Sequence, residues 1–183
     1  MSRITLLAPS QMTDDQRRVY DATRSGRRGR VPAPLIAWLV SPALAERAQK
    51  LGEFVRYETT LPPRLSELAI LLVAHHWASP YEWFAHEPEA LKAGVDAAVV
   101  NDIAAGRRPR FEKDDERVVC DFVTTLHETR TIPESLYRTT VAALGEQGVV
   151  ELVGLLGYYT LISMTLNVFE IDAADAANPE LKA

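Results

Sequence analysis

Cysteine is nearly absent from this chain, which has one thiol in 183 residues. A single cysteine can form neither an intrachain disulfide nor a redox pair, and it cannot build a zinc site from thiolates. Cys120 lies in the segment DERVVCDFV, where the apolar spacing puts it on or beside the inner face of a helix. We therefore expect a buried and unreactive thiol.

Strong charge of one sign is also lacking. The net charge is −5, and no basic stripe alternates with aromatic residues, so nucleic acid is not an expected partner. The one arginine-rich stretch, residues 24–30, alternates with glycine and serine. We interpret it as a solvated loop, and the alternative is a rim that steers anions toward a pocket or a subunit interface.

Long uninterrupted apolar runs are missing as well. The N-terminal residues lack the apolar region and the cleavage site of a signal peptide. The longest apolar run, near residues 149–169, is broken by a glutamate, two tyrosines, a serine and an asparagine. It favours a buried core helix over a membrane span, so we expect a soluble, cytoplasmic protein without a membrane partner.

No segment shows sustained two-residue alternation, whereas signals for helix starts and stops recur along the chain. We predict helices over residues 13–24, 35–39, 41–58, 64–77, 80–93, 96–105, 113–128, 133–144 and 147–172. Hydrophobic residues make up 47% of the chain, enough for a sizeable core. The prediction is an all-α orthogonal bundle of about seven or eight helices. It forms a single domain over residues 1–183, with a core at about 33–172 and a helical extension over 1–32.

The most informative segment is ELAILLVAHHWASPYEWFAH, residues 67–86. On a helix, Glu67 lies on a face whose other residues are apolar. Burying an unpaired carboxylate is costly, so Glu67 should have a partner or an altered ionisation. Ser79, Glu82 and His86 follow shortly afterwards, and this group of ionisable and polar residues forms a candidate site.

Residues 64–94 resemble the carboxymuconolactone decarboxylase family, which includes the alkylhydroperoxidase AhpD. The AhpD branch has a Glu followed by Cys-x-x-Cys-x-x-x-His at the spacing found here. Ser79 and Glu82 stand at the two cysteine positions and His86 at the histidine, so the redox pair is absent. A Glu four residues before the His resembles the decarboxylase branch. Weaker similarity extends over residues 33–63 and over LVGLLGYYTLISMTLNVFEI.

The resemblance implies an AhpD-like bundle that forms homo-oligomers, commonly trimers or hexamers, with the motif helices at their centre. It also implies a lyase of aromatic compound catabolism that removes a carboxylate from an unsaturated lactone. We expect no cofactor and no metal. His86 is the expected general acid and base, Glu82 its orienting partner, and Glu67 a second proton relay. Arg56 or Arg64 could offset the two carboxylates when an anionic substrate binds.

Four more residues are candidates for substrate binding: Ser79, His76, Trp83 and Tyr159. Each also has a structural interpretation. Ser79 and Glu82 fit a capping box at the start of a helix, with Pro80 at its first position. His76 fits a core histidine and Trp83 a core or interface aromatic.

Tyr159 begins a polar stripe that continues at four-residue steps through Ser163 and Asn167. This spacing suits hydrogen bonds between helices or subunits as well as a pocket wall.

Two other functions stay open. The first is an AhpD-like alkylhydroperoxidase of peroxiredoxin type, which needs a thiolate and a resolving thiol. Ser79 and Glu82 cannot supply them, and Cys120 lies elsewhere in the sequence. The second is a non-catalytic oligomeric ligand-binding homologue that kept the scaffold. A turnover assay separates this last alternative from an enzyme.

Overall fold

The computed structural model describes residues 2–27 and 29–172, and this part of the chain is all-α. Eight α-helices follow a short 3-10 helix at Pro9–Gln11. They are α1 Asp14–Ser25, α2 Ala33–Trp38, α3 Pro42–Tyr57, α4 Pro63–His76, α5 Pro80–Ala93, α6 Ala97–Ala104, α7 Asp114–Thr129 and α8 Glu134–Phe169. The predicted all-α class with seven or eight helices is confirmed. Arg28 of the arginine-rich stretch lies outside the described residues.

Local capping residues fix several of these helix ends. At the start of α1 the Gln16 amide donates to Thr13 Oγ1, and the Thr13 amide donates to Gln16 Oε1 at 2.9 Å, which completes the predicted capping box. Asp96 caps α6 by accepting from the Ala98 amide at 2.6 Å. Gly94 ends α5 with a φ of 95°, a conformation that favours glycine.

Helix α8 contains a break at Gly145, where φ is 73° and ψ is 165°. The two helices predicted for this region therefore adjoin at this glycine. By length and composition α8 could cross a membrane, but 61% of its most apolar window is buried inside the protein. That burial is typical of the core helix of a soluble protein, as the sequence predicts.

The chain divides into two compact units. Among the described residues, the first comprises those up to 58 and those from 161 to 172, and the second comprises residues 59–160. In the first unit, α3 packs against α1 and α2. Trp38 is buried there and donates from its indole nitrogen to Thr165 Oγ1 at 2.8 Å. The prediction of one domain over the whole chain stays a prediction.

Helix α4 is the central helix of the second unit, where it packs against α5, α6 and α7. Its apolar residues are almost fully buried, including Leu68, Ile70 and Val73. Glu67 precedes them in sequence and is buried with them, at 8% exposure. The core of this unit therefore contains a carboxylate, which requires a partner.

At the start of α4, Arg64 is held by carboxylates of α7. Its guanidinium lies 2.7 Å from Asp115 Oδ2 and bonds Glu116, whose side chain is 3% exposed. The hydrogen bond from Arg64 keeps the pKa of Asp115 below its ordinary value. Arg64 is thus engaged in structure, and the expectation that it offsets the charge of a substrate needs correction. Arg56, the other candidate, lies over the Tyr57 ring at 5.5 Å in the first unit.

We predict that Arg64→Met lowers the free energy of unfolding by about 2–4 kcal/mol, because it leaves Glu116 buried without its main counter-charge. Urea denaturation measures this loss. Arg138→Met is the control: its pair with Glu134 joins two exposed side chains and contributes about 0.5 kcal/mol or less. Adding Glu116→Gln to Arg64→Met should recover part of the loss. Equal midpoints for Arg64→Met and Arg138→Met would contradict this account.

Candidate active site

A buried histidine lies between two buried carboxylates in the second unit. His86 Nδ1 is 2.7 Å from Glu67 Oε2, and His86 Nε2 is 3.5 Å from Glu82 Oε2. The exposed fractions are 3% for His86, 8% for Glu67 and 4% for Glu82. The structure thus brings together the three residues that the sequence predicts as a site.

Two helices and one tight turn produce this arrangement. Glu82 and His86 lie one turn apart on α5, and Glu67 comes from α4. Between the helices, Ala78 has a φ of 46°, a left-handed conformation that costs an L-residue about 1–2 kcal/mol. The Ser79 amide donates to the Ala74 carbonyl at 2.9 Å and closes the turn. This turn folds α5 back along α4, so that Glu67 meets His86.

The glutamate that makes the short contact with His86 is not the one expected from the sequence. The short contact of His86 is with Glu67, whereas the sequence favours Glu82 as its orienting partner. Because a carboxylate accepts, Nδ1 carries the proton in this hydrogen bond. Glu67 therefore fixes the ring and its tautomer, and Nε2 is directed toward Glu82. Nε2 is the ring nitrogen that the hydrogen bond to Glu67 leaves unused.

Ser79 does not act as the predicted helix cap. It occupies the position before α5, but its side chain makes no capping hydrogen bond. Its own amide already donates to Ala74, so Glu82 finds no donor there, and the reciprocal bond of a capping box cannot form. The capping interpretation of Ser79 and Glu82 is therefore wrong.

The hydroxyl of Ser79 is left in an unusual state. It is buried, at 2% exposure, and makes no hydrogen bond within the part of the chain that the structure describes. An unsatisfied buried hydroxyl costs about 1–3 kcal/mol. Ser79 immediately precedes α5, the helix that carries Glu82 and His86. A ligand beside His86 could supply the missing hydrogen bond.

The remaining substrate-binding candidates have different positions. Tyr159 is buried, and its ring lies nearly perpendicular to that of His86 at a centroid distance of 5.1 Å, so it borders the site. Trp83 is half-buried, and its side chain makes no ring contact or hydrogen bond among the described residues. His76 is exposed and stacks on His127 of α7 instead.

The polar stripe that begins at Tyr159 does not act as one hydrogen-bonding row. Ser163 is fully buried, and its hydroxyl makes no hydrogen bond within residues 2–27 and 29–172. Asn167 is exposed.

A separate cavity of about 570 Å³ lies in the second unit. Its walls come from α4, α6, α7 and the loop between α6 and α7, and none of the residues of the Glu67–His86–Glu82 site lines it. The sequence did not indicate this cavity, because its lining residues, such as His76 and His127, are distant from one another along the chain. The Glu67–His86–Glu82 site differs from this cavity in that ionisable groups are packed against one another there.

Cys120 is buried beside this cavity, and its sulfur lies 4.0 Å from Thr124 Oγ1. Burial raises the pKa of its thiol, so the thiolate is disfavoured. This agrees with the expectation of a buried thiol. No three or more His, Cys, Asp or Glu side chains are grouped so as to hold a metal ion in the described residues.

Burial, and to a lesser degree the neighbouring His76, lowers the pKa of His127 from 6.5 to about 4. The unfolded chain binds this proton as the pH falls through about 6.5, whereas the folded chain binds it only near 4. Lowering the pH from about 6.5 to about 4 therefore favours the unfolded chain increasingly.

We predict that wild-type protein loses stability between pH 6.5 and about 4 and that His127→Gln flattens this loss. Urea midpoints at a series of pH values measure the effect. His75→Gln, at an exposed position on α4, serves as the control and should keep the wild-type slope. Identical pH slopes for wild type and His127→Gln would rule out His127 as the titrating group.

Comparison with known proteins supports the fold. No protein-family model matches the sequence, and no curated protein matches it either. Among solved structures, the chain is similar to an uncharacterised peroxidase-related protein from Silicibacter sp. TM1040. That protein is 13% identical, the match covers 97% of this chain and 95% of the other, and the TM-score is 0.76.

The chain is also similar to a cysteine-to-alanine variant of the debrominase Bmp8, solved in complex with 2,3,4-tribromopyrrole. This protein is 16% identical, the match covers 97% of each chain, and the TM-score is 0.72. Sequence identities this low establish a shared architecture without establishing a shared activity. The chain therefore has the all-α fold of these two proteins over nearly its whole length.

Proposed function

We propose that this protein is a cofactor-free acid–base enzyme of the carboxymuconolactone-decarboxylase type. Its substrate would be a small unsaturated carboxylate or lactone. One observation carries the proposal: His86 is fixed by Glu67 at 2.7 Å and directs its second nitrogen toward Glu82, with all three side chains buried. A positioned imidazole in a site from which water is excluded suits proton transfer to carbon.

The proposed step transfers one proton and releases carbon dioxide. The bond between the substrate carbon and its carboxylate breaks, and its electron pair enters the conjugated system as a dienolate. A proton held between His86 Nε2 and Glu82 is then delivered to a carbon of the dienolate. Water afterwards returns a proton to the His86–Glu82 pair. Glu67 keeps the imidazole oriented throughout, as a carboxylate does for the histidine of a hydrolytic triad.

Ser79 and Tyr159 are the proposed substrate contacts. The Ser79 hydroxyl is buried and can donate to the oxygen on which the dienolate charge develops, since no described protein group uses it. Tyr159 presents its ring beside His86 and gives the site an aromatic wall. His76 lies at the separate cavity beside His127 and is not a proposed substrate contact. Trp83 has no proposed role.

The two similar structures bear on two questions: whether the substrate is a small unsaturated ring, and whether the reaction uses a thiol. One neighbour is called peroxidase-related, and the debrominase was studied as a cysteine variant with a small planar ring. The ring supports a small unsaturated substrate for this chain too. Thiol chemistry is disfavoured, because Cys120 is the single cysteine, is buried and has a raised pKa.

We predict that His86→Asn lowers kcat by roughly 10²–10⁴, the contribution of a positioned general acid or base. Glu67→Gln should lower kcat with little change in KM, because an amide no longer selects the required tautomer. Ser79→Ala should raise KM and leave the melting temperature unchanged or higher, since it removes an unsatisfied buried hydroxyl. Release of carbon dioxide from a panel of unsaturated lactones and carboxylates is the assay.

The matched control is Glu134→Gln, which alters an exposed glutamate on α8 and should leave kcat and KM unchanged. Near-wild-type turnover by His86→Asn would sink the acid–base assignment. Peroxide consumption with a dithiol reductant tests the alternative. Robust turnover that disappears in Cys120→Ser would replace the proposal with a thiol peroxidase.

We also propose that the protein is a homo-oligomer, trimeric or hexameric, in the cytoplasm. Large apolar side chains are exposed in the second unit, with Phe84 at 67% and Leu91 at 43% on one face of α5. Val150 at 72% and Val153 at 47% are exposed together on α8. Clustered exposed apolar residues are typical of interfaces.

Sedimentation should show the oligomer and a smaller species for Val150→Glu. A stable wild-type monomer at micromolar concentration would refute it.

A further inference from the structure

The cavity of about 570 Å³ has the size of a small-molecule site, which typically measures about 300–1,000 Å³. Helices α4 and α7 form two of its walls. The loop after α6 forms its rim, where Gly106 has a φ of 68° and leaves its Cα beside the His75 ring. Three imidazoles therefore border one cavity that the proposed enzymatic function does not use.

Two of these imidazoles are stacked face to face. The rings of His76 and His127 are parallel within 11°, and their centroids lie 4.3 Å apart. His127 is neutral at pH 7, because burial and His76 lower its pKa to about 4. None of the nitrogens of His75, His76 and His127 makes a hydrogen bond to another described residue. The cavity therefore offers a π surface with free donors and acceptors.

The charged groups at the rim are largely compensated. Arg107 lies 2.7 Å from Asp102 Oδ1, and Arg108 lies 2.7 Å from Asp121 Oδ1. Arg117 approaches the other oxygen of Asp121 at 3.7 Å. Glu128 also lines the cavity and forms no ion pair with another described residue. These three arginines and three acidic residues sum to no net charge, so the site offers little electrostatic preference for an anion or a cation.

Apolar groups complete the lining. Ile103, Cys120 and Val123 are buried and border the cavity. An apolar wall together with a few hydrogen-bonding groups is the usual composition of a site for a small organic ligand. Aromatic rings prefer parallel offset or edge-on contacts with other rings, so a planar ligand suits this surface.

We propose that this cavity binds an uncharged, planar nitrogen heterocycle of purine size or larger. The ring would pack against the His76–His127 pair, and its nitrogen edge would bond the imidazoles. This inference is independent of the proposed decarboxylase-like activity, since none of Glu67, Glu82 and His86 lines the cavity.

Adenine is the probe, and isothermal titration at pH 7 is the measurement. Saturable binding with a Kd of about 1 mM or tighter is expected. Trp77, whose ring lies 6.0 Å from that of His76, should report the same binding by fluorescence. Benzoate and benzamidine, planar ions of opposite charge, should bind at least about tenfold more weakly than adenine.

Two variants test the site. His127→Ala removes the stacked partner and should weaken adenine binding about tenfold or more. His127→Phe keeps a ring but loses the nitrogens, and its affinity should fall between those of wild type and His127→Ala. Thr124→Trp, at an exposed lining position, fills the cavity without altering the histidines and should also abolish binding.

His86→Asn separates this proposal from the proposed function, because it should lose turnover and keep adenine binding. Absence of saturable binding up to about 5 mM adenine overturns the proposal. Equal affinities for wild type, His127→Ala and Thr124→Trp overturn it as well. Tighter binding of benzoate or benzamidine than of adenine would show that the site selects an ion.

Discussion

The hydrogen bond between His86 and Glu67 is the constraint around which the second unit is organised. Glu67 lies in the middle of the most buried helix of that unit, where an ionised group is stable only with a partner. His86 supplies that partner from the neighbouring helix and is itself buried against Glu82. Helices α4 and α5 must therefore pack in one register. The same requirement that stabilises the core also leaves one imidazole nitrogen oriented for chemistry.

Most of the fold could be predicted from the sequence, because its signals are local. The capping box of Thr13, the cap at Asp96 and the glycine at position 94 each mark a helix end through a few neighbouring residues. The membership of the site was also predictable, since Glu82 and His86 are one helical turn apart. Glu67 could be added because a carboxylate on an apolar helix face demands a partner.

The parts that could not be predicted depend on where helices pack. The predicted capping box of Ser79 and Glu82 is absent, and the Ser79 amide donates to the Ala74 carbonyl instead. No sequence pattern reports that. The pairing of His76 with His127 joins two helices far apart in the chain, and local periodicity carries no information about it. Function has the same limit, because a shared architecture fixes the position of residues and not their reaction.

The tight turn at Ala78 places the whole acid–base group on a single helical hairpin. Only a short stretch of chain must close for Glu67 to reach His86, and contacts of low sequence separation form early in folding. The geometry of the candidate site therefore depends on contacts within one helical hairpin. Residue types at positions such as 79 and 82 can then change the chemistry of the hairpin while its backbone path stays the same.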